Sequence, residues 1–348
     1  MTETCIGWDV GGAHLKAVLL NNEGGVISAT QVYCPLWRGL RELEFAIDNV
    51  LLEFSAERHA VTMTGELADI FASRREGVMN IAATLSQKLS GEVQYYAGKH
   101  GFVGIDAVGE HWSAIASMNW YASVQYVAQH VHQAVFVDIG STTTDIALIE
   151  QALPCSKGFT DALRMQHDEL VYTGVVRTPL MALAQKISFG GVTSNVAAEH
   201  FATTADVYTL TGELASTENA AETADGAEKT MQASARRVAR MVGCDADDAP
   251  LASWIELAKS FKNVQLDQIR HALLKQIANL QDSTALQLIG AGAGSFLVAE
   301  LARQLGLEYH AVTEFIAADD AEAKHMAAVC FPAYAVAYLR ITQAGAAA

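Results

Sequence analysis

Basic residues are scarce in this sequence: 23 Lys and Arg stand against 39 Asp and Glu, a net charge of −16. That balance excludes nucleic acid or an anionic membrane as the main partner, because neither a phosphate backbone nor acidic lipid favours such a surface. An anionic small molecule would need a local site of glycine amides, a metal ion and a few basic side chains. Cysteines are few and odd in number (Cys5, Cys34, Cys155, Cys244, Cys330), with no Cys-x-x-Cys spacing, and read as reduced thiols filling the core. No basic-then-apolar leader opens the chain, and no run approaches the ~20 apolar residues of a membrane span, so a cytoplasmic location is expected. The 11 histidines form no His-x-x-x-His or His-Glu-x-x-His pattern, and His130 and His132 lie two apart, on different faces of a helix. They are read as structural or surface residues. Only 18% of residues are charged and 51% are apolar, which argues against extensive disorder. At 348 residues the chain can form two domains or one duplicated fold.

What the sequence does contain is a repeated pattern. Cys5-Ile-Gly-Trp-Asp9-Val-Gly11-Gly12-Ala-His-Leu-Lys16 returns as Val135-Phe-Val-Asp138-Ile-Gly140-Ser141-Thr142-Thr143-Thr-Asp145. Each copy is an apolar strand, then Asp-x-Gly, then small or hydroxylated residues, then a second apolar strand. Glycine at such a turn lets backbone N–H groups approach a phosphate, and the carboxylate suits a hydrated divalent cation. Two such hairpins facing each other would clamp a phosphate–metal group from both sides. Asp9 and Asp138 are the candidate metal carboxylates; Gly11, Gly12, Gly140, Ser141, Thr142 and Thr143 are the candidate phosphate donors. The bland reading is that both carboxylates only cap their turns.

Periodicity places a three-strand meander at residues 4–34, then helix 40–54, strand 59–65, helix 74–89, strand 93–97 and a long helix 110–131. The order starts again with strands at 134–139 and 145–150, and a third near 153–159. An insertion reading mainly as helix follows at about 192–281, with helices near 229–242, 250–259 and 266–280. Its polar, acidic 213–228 section suits an exposed loop or lid. Strand 285–289 then leads into Leu288-Ile-Gly290-Ala-Gly292-Ala-Gly294-Ser295, a helix, strand 307–312, a terminal helix 320–341 and a frayed 344–348 tail. The expected class is α/β: duplicated lobes at 1–132 and 133–348, with a cleft between them and the helical insertion in the second. The glycine-rich turn before a helix is a fair anion or nucleotide cradle, although glycines also permit close helix–strand packing.

With these elements in place the chain resembles the acetate kinase, sugar kinase, heat-shock ATPase and actin superfamily, whose members duplicate a ribonuclease-H-like lobe. A closer resemblance is to the hydantoinase/oxoprolinase family. It rests on Asp9-Val-Gly-Gly12, Val137-Asp-Ile-Gly-Ser-Thr-Thr-Thr-Asp145, Glu169-Leu-Val-Tyr172-Thr-Gly174-Val-Val-Arg177-Thr-Pro179 and Ala198-Glu199-His-Phe-Ala-Thr-Thr-Ala-Asp206-Val-Tyr208. The chain is too short for the extra domains of that family's ATP-dependent amidohydrolases. It also reads Gly12-Ala-His-Leu-Lys16 where they carry Gly-Gly-Thr near an acidic residue. Met63-Thr-Gly-Glu66-Leu, Ser117-Met-Asn119-Trp120 and Thr223-Ala-Asp225-Gly226 resemble instead a short subgroup linked to tetrahydromethanopterin one-carbon metabolism, which includes the methanofuran-core synthase.

The resemblance implies a transferase of methanofuran or methylofuran biosynthesis. Such an enzyme condenses an aminomethylfuran-methyl diphosphate with the phenol of a tyramine- or tyrosine-type acceptor and releases pyrophosphate. In that setting Lys16 is a point charge for the leaving group or a solvated strand residue. Asp145 accepts the phenol proton, orients a metal-bound water, or is a strand carboxylate with a structural partner. Glu66 is a base, a ligand for the furan's ammonium, or a helix cap. Tyr172, Arg177 and Asn119 are candidate substrate contacts, and Gly290, Gly292, Gly294 and Ser295 form the nucleotide-type turn. Magnesium is the expected cofactor; ATP use is left open, and a homo-oligomer is compatible with the composition. Two other readings stand beside this one: an ATP-dependent small-molecule kinase or hydrolase, and a non-catalytic nucleotide-binding protein.

Overall fold

The structure is a computed structural model that describes residues 4–215, 219, 221–280 and 286–346. The chain divides into two compact units, one of residues 1–134, 149–163 and 312–348, the other of residues 135–148 and 164–311. The units therefore interleave across the boundary expected at 132/133.

The first unit contains strands β1 (Cys5–Val10), β2 (His14–Leu20), β3 (Val26–Tyr33), β4 (Arg58–Met63), β5 (Glu92–Tyr96) and β6 (Phe102–Val103). They form one sheet in the order β3-β2-β1-β4-β5-β6. β1 is antiparallel to β2 and parallel to β4, and β4 is parallel to β5. Helices α1 (Leu40–Leu51), α2 (Arg74–Lys88), α3 (Ile105–Ile115) and α4 (Asn119–Val127) connect or cover these strands. α1 buries Leu43, Ala46, Ile47 and Val50, the helical spacing that predicted it. β1 is buried at every position, as a central strand covered on both faces requires.

The long helix expected at 110–131 is two helices, broken at residues 116–118. No glycine or proline marks the break. It arises because Ala116 makes a parallel bridge to Met63 at the end of β4, and Ser117 takes the left-handed conformation with φ of 51°.

The second unit carries β7 (Ala134–Ile139), β8 (Thr144–Glu150), β10 (Leu170–Val171), β13 (Gln287–Ala291) and β14 (Glu308–Ala311), while the short β9 (Leu153–Cys155) lies in residues 149–163 of the first. Its strand order β10-β8-β7-β13-β14 repeats the first sheet's arrangement of hairpin then crossover strands. Between β10 and β13 lie α6 (Leu180–Leu183), the hairpin β11 (Lys186–Phe189) and β12 (Val192–Asn195), α7 (Thr204–Thr211), α8 (Met231–Arg240) and α9 (Leu251–Ile277); α5 (Asp161–Gln166) precedes β10. The insertion thus opens on a strand hairpin. Gly190 and Gly191 supply the two positive φ values (58° and 79°) that a tight two-residue turn demands.

Two helices expected near 250–259 and 266–280 are the single α9, since the intervening Phe261 and Gln265 stay on its buried face. The start of the expected 285–289 strand at residue 285 lies outside the described residues, as do 216–218, 220, 347 and 348. α10 (Ser295–Leu305) follows β13, and the terminal helix is split at Cys330, just before Pro332, into α11 (Ala321–Val329) and α12 (Phe331–Ala346).

α12 packs on the first unit because Gly7 in β1 has no side chain: a Cβ there would lie 1.9 Å from the Ala333 carbonyl oxygen. This contact explains why residues 312–348 join the first unit rather than the second. Cys5, Cys34 and Cys330 are buried, and all five cysteines are free. Among the described residues no helix is long and apolar enough to cross a membrane.

Candidate active site

In the first unit the Asp-x-Gly turn is built by strand register. Asp9, buried, stands opposite Lys16 on β2 and Thr62 on β4. The turn closes on Gly11 N–H donating to the His14 carbonyl at 3.0 Å. Gly11 therefore shapes the turn and spends its own amide there, a correction to its expected role as a phosphate donor. Among the described residues no backbone carbonyl accepts from the Gly12 amide in this turn.

Lys16 also departs from expectation. Its Nζ donates to the Val329 carbonyl at 2.9 Å, so the ammonium sits on the C-terminal end of α11. A cation there complements the partial negative charge of a helix end, and the side chain is not a free point charge for a leaving group.

Glu66 lies just past β4, beside the same turn. A Cβ on the preceding Gly65 would lie 3.1 and 3.2 Å from the Val10 and Gly11 carbonyl oxygens. Although only 1% exposed, Glu66 accepts a hydrogen bond from Ser117 Oγ at 2.6 Å on Oε1, while its buried Oε2 has no partner. Burial pushes its carboxyl up to about 7, with a small further push from the Asp161 charge; the Ser117 hydrogen bond, its own backbone N–H and the Arg74 charge pull the other way. Arg74 itself is paired with Asp161 at 2.5 Å. Asn119, half-buried, opens α4, where its Oδ1 accepts from Trp120 N–H at 2.8 Å. Trp120 is core: it packs with Tyr121 and Phe159. The turn at Gly11, the end of β4 and the α3–α4 break thus converge at the carboxyl ends of parallel strands, where open α/β sheets bind ligands.

In the second unit Gly140 N–H donates to the Thr143 carbonyl at 2.9 Å, the same internal bond that Gly11 makes in the first. It too spends its amide on the turn. Ser141, Thr142 and Thr143 are half-buried, and the Ser141 and Thr142 hydroxyls lie 3.4 Å apart.

The segment 172–178 is laid onto this turn. Val175 N–H donates to the Gly140 carbonyl at 3.0 Å, and the N–H groups of Val176 and Arg177 donate to that of Ser141 at 3.1 and 2.8 Å. Only glycine fits at 174, because a Cβ would come within 2.5 Å of the Ser141–Thr142 peptide. Buried Gln265 of α9 donates to Thr173 Oγ1 at 2.7 Å and to the Gly174 carbonyl at 2.9 Å, and accepts from the Tyr208 hydroxyl. The insertion therefore braces the segment that holds the turn. Tyr172 and Arg177 are exposed on it.

The glycine-rich turn after β13 presses against Asp138. A Cβ at Gly292, where φ is 76°, would lie 2.3 Å from Asp138 Oδ1 and 2.4 Å from the Ile139 carbonyl oxygen. Gly294 N–H donates to that carbonyl at 2.8 Å, and Ser295 N–H donates to the Gly292 carbonyl at 3.1 Å. Two amides of the expected nucleotide cradle are thus committed, and close packing is what these glycines provide; Gly290 likewise approaches Tyr309 and Val298.

Asp145 has a structural partner. Its Oδ1 accepts from the guanidinium of Arg164 at 2.6 Å, and Arg164 is 2% exposed and also donates to the Glu169 carbonyl. This ion pair supplies the structural partner that one of the expected readings gave Asp145. Nothing in the sequence marked Arg164 as that partner, or Gln265 as the brace. Ser117 did lie in a segment quoted for the family resemblance. Of the 213–228 section, expected as an exposed loop or lid, residues 216–218 and 220 lie outside the described residues, while Asp225 and Asn219 are held within their unit. Buried Arg237 holds Asp225 at 3.0 Å and Asp206 at 2.7 Å, and Lys229 donates to the carbonyl of Asn219.

Among the described residues no group of three or more His, Cys, Asp or Glu is placed to hold a metal. Asp9 in the first unit and Asp138 in the second each offer hard carboxylate oxygens of the kind magnesium takes, an ion that keeps several waters and needs only one or two carboxylates beside substrate phosphates.

Two solved structures share this architecture. Acetone carboxylase, in its nucleotide-free form, aligns with a TM-score of 0.58 at 11% identity, over 97% of this chain and 70% of that one. A ROK family glucokinase from Streptomyces griseus, solved with glucose and AMPPNP, aligns with a TM-score of 0.50 at 14% identity, over 97% and 98%. The protein has the duplicated ribonuclease-H-like fold of the actin-like ATPases. Within that class it belongs to the hydantoinase/oxoprolinase family, whose profile matches residues 57–337. A relative from Methanocaldococcus jannaschii is 30% identical over 266 residues, 76% of this chain and 79% of its own length. That relative is the (4-{4-[2-(gamma-L-glutamylamino)ethyl]phenoxymethyl}furan-2-yl)methanamine synthase.

Proposed function

We propose that this chain is an enzyme of methanofuran-type biosynthesis that joins a phenol oxygen to a furanylmethyl carbon and releases pyrophosphate. The observation that supports it most is the similarity to the M. jannaschii synthase over three quarters of both chains. That relative's named product is a phenoxymethyl-furan ether bearing a primary amine.

In the proposed reaction the bond from the furanylmethyl carbon to the diphosphate oxygen breaks, and the electron pair leaves with the diphosphate. The phenol oxygen bonds to that carbon, and its proton passes to a base or to solvent. The electron-rich furan stabilises the developing cation, so the protein mainly has to neutralise the leaving charge and exclude water.

Asp9 and Asp138 are the proposed magnesium carboxylates. The ion, when bound, offsets part of the diphosphate charge. The Gly12 amide and the Ser141, Thr142 and Thr143 hydroxyls are the proposed diphosphate donors, held by turns whose geometry Gly11 and Gly140 fix from inside. Exposed Tyr172 and Arg177 are proposed to meet the phenolic acceptor, and Asn119 the furan.

The test is pyrophosphate release by purified protein with magnesium, the aminomethylfuran-methyl diphosphate and γ-glutamyltyramine. Asp9→Asn and Asp138→Asn are each expected to lower kcat/KM by about 10²–10³-fold, the size of effect seen when one charge-stabilising group is lost. Release from the wild type no greater than from the double variant would sink the proposal. Thermal stabilisation by magnesium-ATP but not by magnesium pyrophosphate would favour an ATP-dependent kinase or hydrolase instead.

A further inference from the structure

We propose that Glu66 recognises the primary ammonium of the furan substrate through its Oε2 oxygen, with Ser117 holding Oε1 in place. This rests on the reading just given, and deepens it by assigning the part of the substrate remote from the breaking bond.

Four observations lead there. Oε2 is buried and has no partner, while the whole side chain is 1% exposed. Native proteins rarely leave a buried carboxylate oxygen so, because its lost hydration is costly unless a partner arrives. The other oxygen is fixed by a residue in an unfavourable conformation: Ser117, with φ of 51°, interrupts two helices and puts its hydroxyl 2.6 Å from Oε1. A non-glycine residue is held there only when its surroundings over-determine it.

Glu66 also cannot slide along the chain. Gly77 of α2 packs so closely on it that a Cβ would lie 2.6 Å from the Glu66 carbonyl oxygen and 2.7 Å from its Cα. Finally, the charged groups bearing on Glu66 are Arg74 of α2 and Asp161, and these are paired with each other at 2.5 Å. The nearby cation is thus committed elsewhere, and the position suits a cation brought by the ligand. An alkylammonium provides three donors and a full charge, and charge-assisted hydrogen bonds are the strong ones. Reaching Oε2, which has no accessible surface here, requires the Glu66 side chain or the residues at the helix break to move.

The experiment measures Kd, with magnesium present, for three probes: pyrophosphate, furfuryl diphosphate, and the same diphosphate carrying an aminomethyl group. Wild-type protein is expected to prefer the amine-bearing probe, and Glu66→Gln to lower that preference by roughly 10–100-fold, the worth of one hydrogen bond to a charged group. The loss should be confined to the amine-bearing probe. Equal weakening of both furfuryl probes, or a wild type with no preference, overturns the assignment while leaving the diphosphate reading intact. Failure of all three probes to bind wild type overturns both.

A second measurement needs no variant. Between pH 6 and pH 8 the wild-type preference should rise, because burial pushes the Glu66 carboxyl up to about 7 and it ionises over that interval while the alkylammonium stays charged. A preference that does not change with pH overturns the assignment.

Discussion

Replacing Gly292 by alanine is expected to destabilise the protein by about 2–5 kcal/mol and to abolish magnesium pyrophosphate binding. Two costs add. An L side chain at the φ of 76° found there costs roughly 1–2 kcal/mol. The new methyl would also overlap Asp138 Oδ1 at 2.3 Å and the Ile139 carbonyl oxygen at 2.4 Å. Overpacking of this kind costs about 1–3 kcal/mol, and neither neighbour can yield cheaply. One is backbone, already bonded to Gly294 N–H, and the other belongs to the carboxylate proposed to hold magnesium.

Moving Asp138 aside would therefore relieve the clash only by displacing the functional group. Thermal melts with and without magnesium pyrophosphate test this: the unliganded midpoint should fall by on the order of 10 °C, and the ligand-induced rise should vanish. Gly12→Ala is the contrasting case, because a Cβ there meets nothing within 4 Å. It should leave the unliganded midpoint unchanged. A Gly292→Ala protein as stable and as responsive as wild type would show that the glycine-rich turn does not press on Asp138 as described.

The second large effect is a gain in stability. Glu66→Gln should stabilise the protein by about 3 kcal/mol at pH 8 and by almost nothing near pH 4. The folded carboxyl titrates at about 7 against an ordinary value of 4.5, because burial opposes its charge. Between those values the unfolded chain has released the proton and the native one still holds it. The native state therefore binds more protons, and stability falls as pH rises through this window. The loss is fully developed above pH 7; a difference of about 2.5 units corresponds to roughly 3 kcal/mol.

A neutral isostere removes that loss, so the variant's advantage should grow with pH from about 4.5 to 7 and then level off. Chemical denaturation across this range checks it. An advantage independent of pH would mean that Glu66 is not the titrating group. Stability gained at the cost of substrate selectivity is what a recognition carboxylate retained against its own solvation would give.

The doubled Asp-x-Gly turns could be read from the chain alone. The apolar strand, Asp-x-Gly and small-residue turn is a local pattern, and its two occurrences fold into hairpins with the same internal bond, Gly11 to His14 and Gly140 to Thr143. Strand and helix periodicities placed β1, β2, β3, α1 and α2 to within a few residues, because burial on one face imposes the spacing directly. The same locality leaves distant partners unseen. Lys16 and Asp145 sit on the strands that follow the two Asp-x-Gly turns and look available in sequence. Their partners are Val329 and Arg164, brought in by the end of α11 and by the segment before β10.

The break at Ser117 carries no breaker residue, since a bridge to β4 and the Glu66 carboxylate impose it rather than any local preference. Gln265 reads as one more polar helix position until α9 is seen to bury it against Thr173 and Gly174. The sequence by itself determined the fold class, the doubled turns and the family, because periodicity and glycine geometry act between neighbours along the chain. Only the tertiary structure decided which carboxylates already have partners, which amides are spent and which unit claims the last helix. Those are contacts between residues far apart in sequence, and pairing, burial and close approach exist only once the chain has folded.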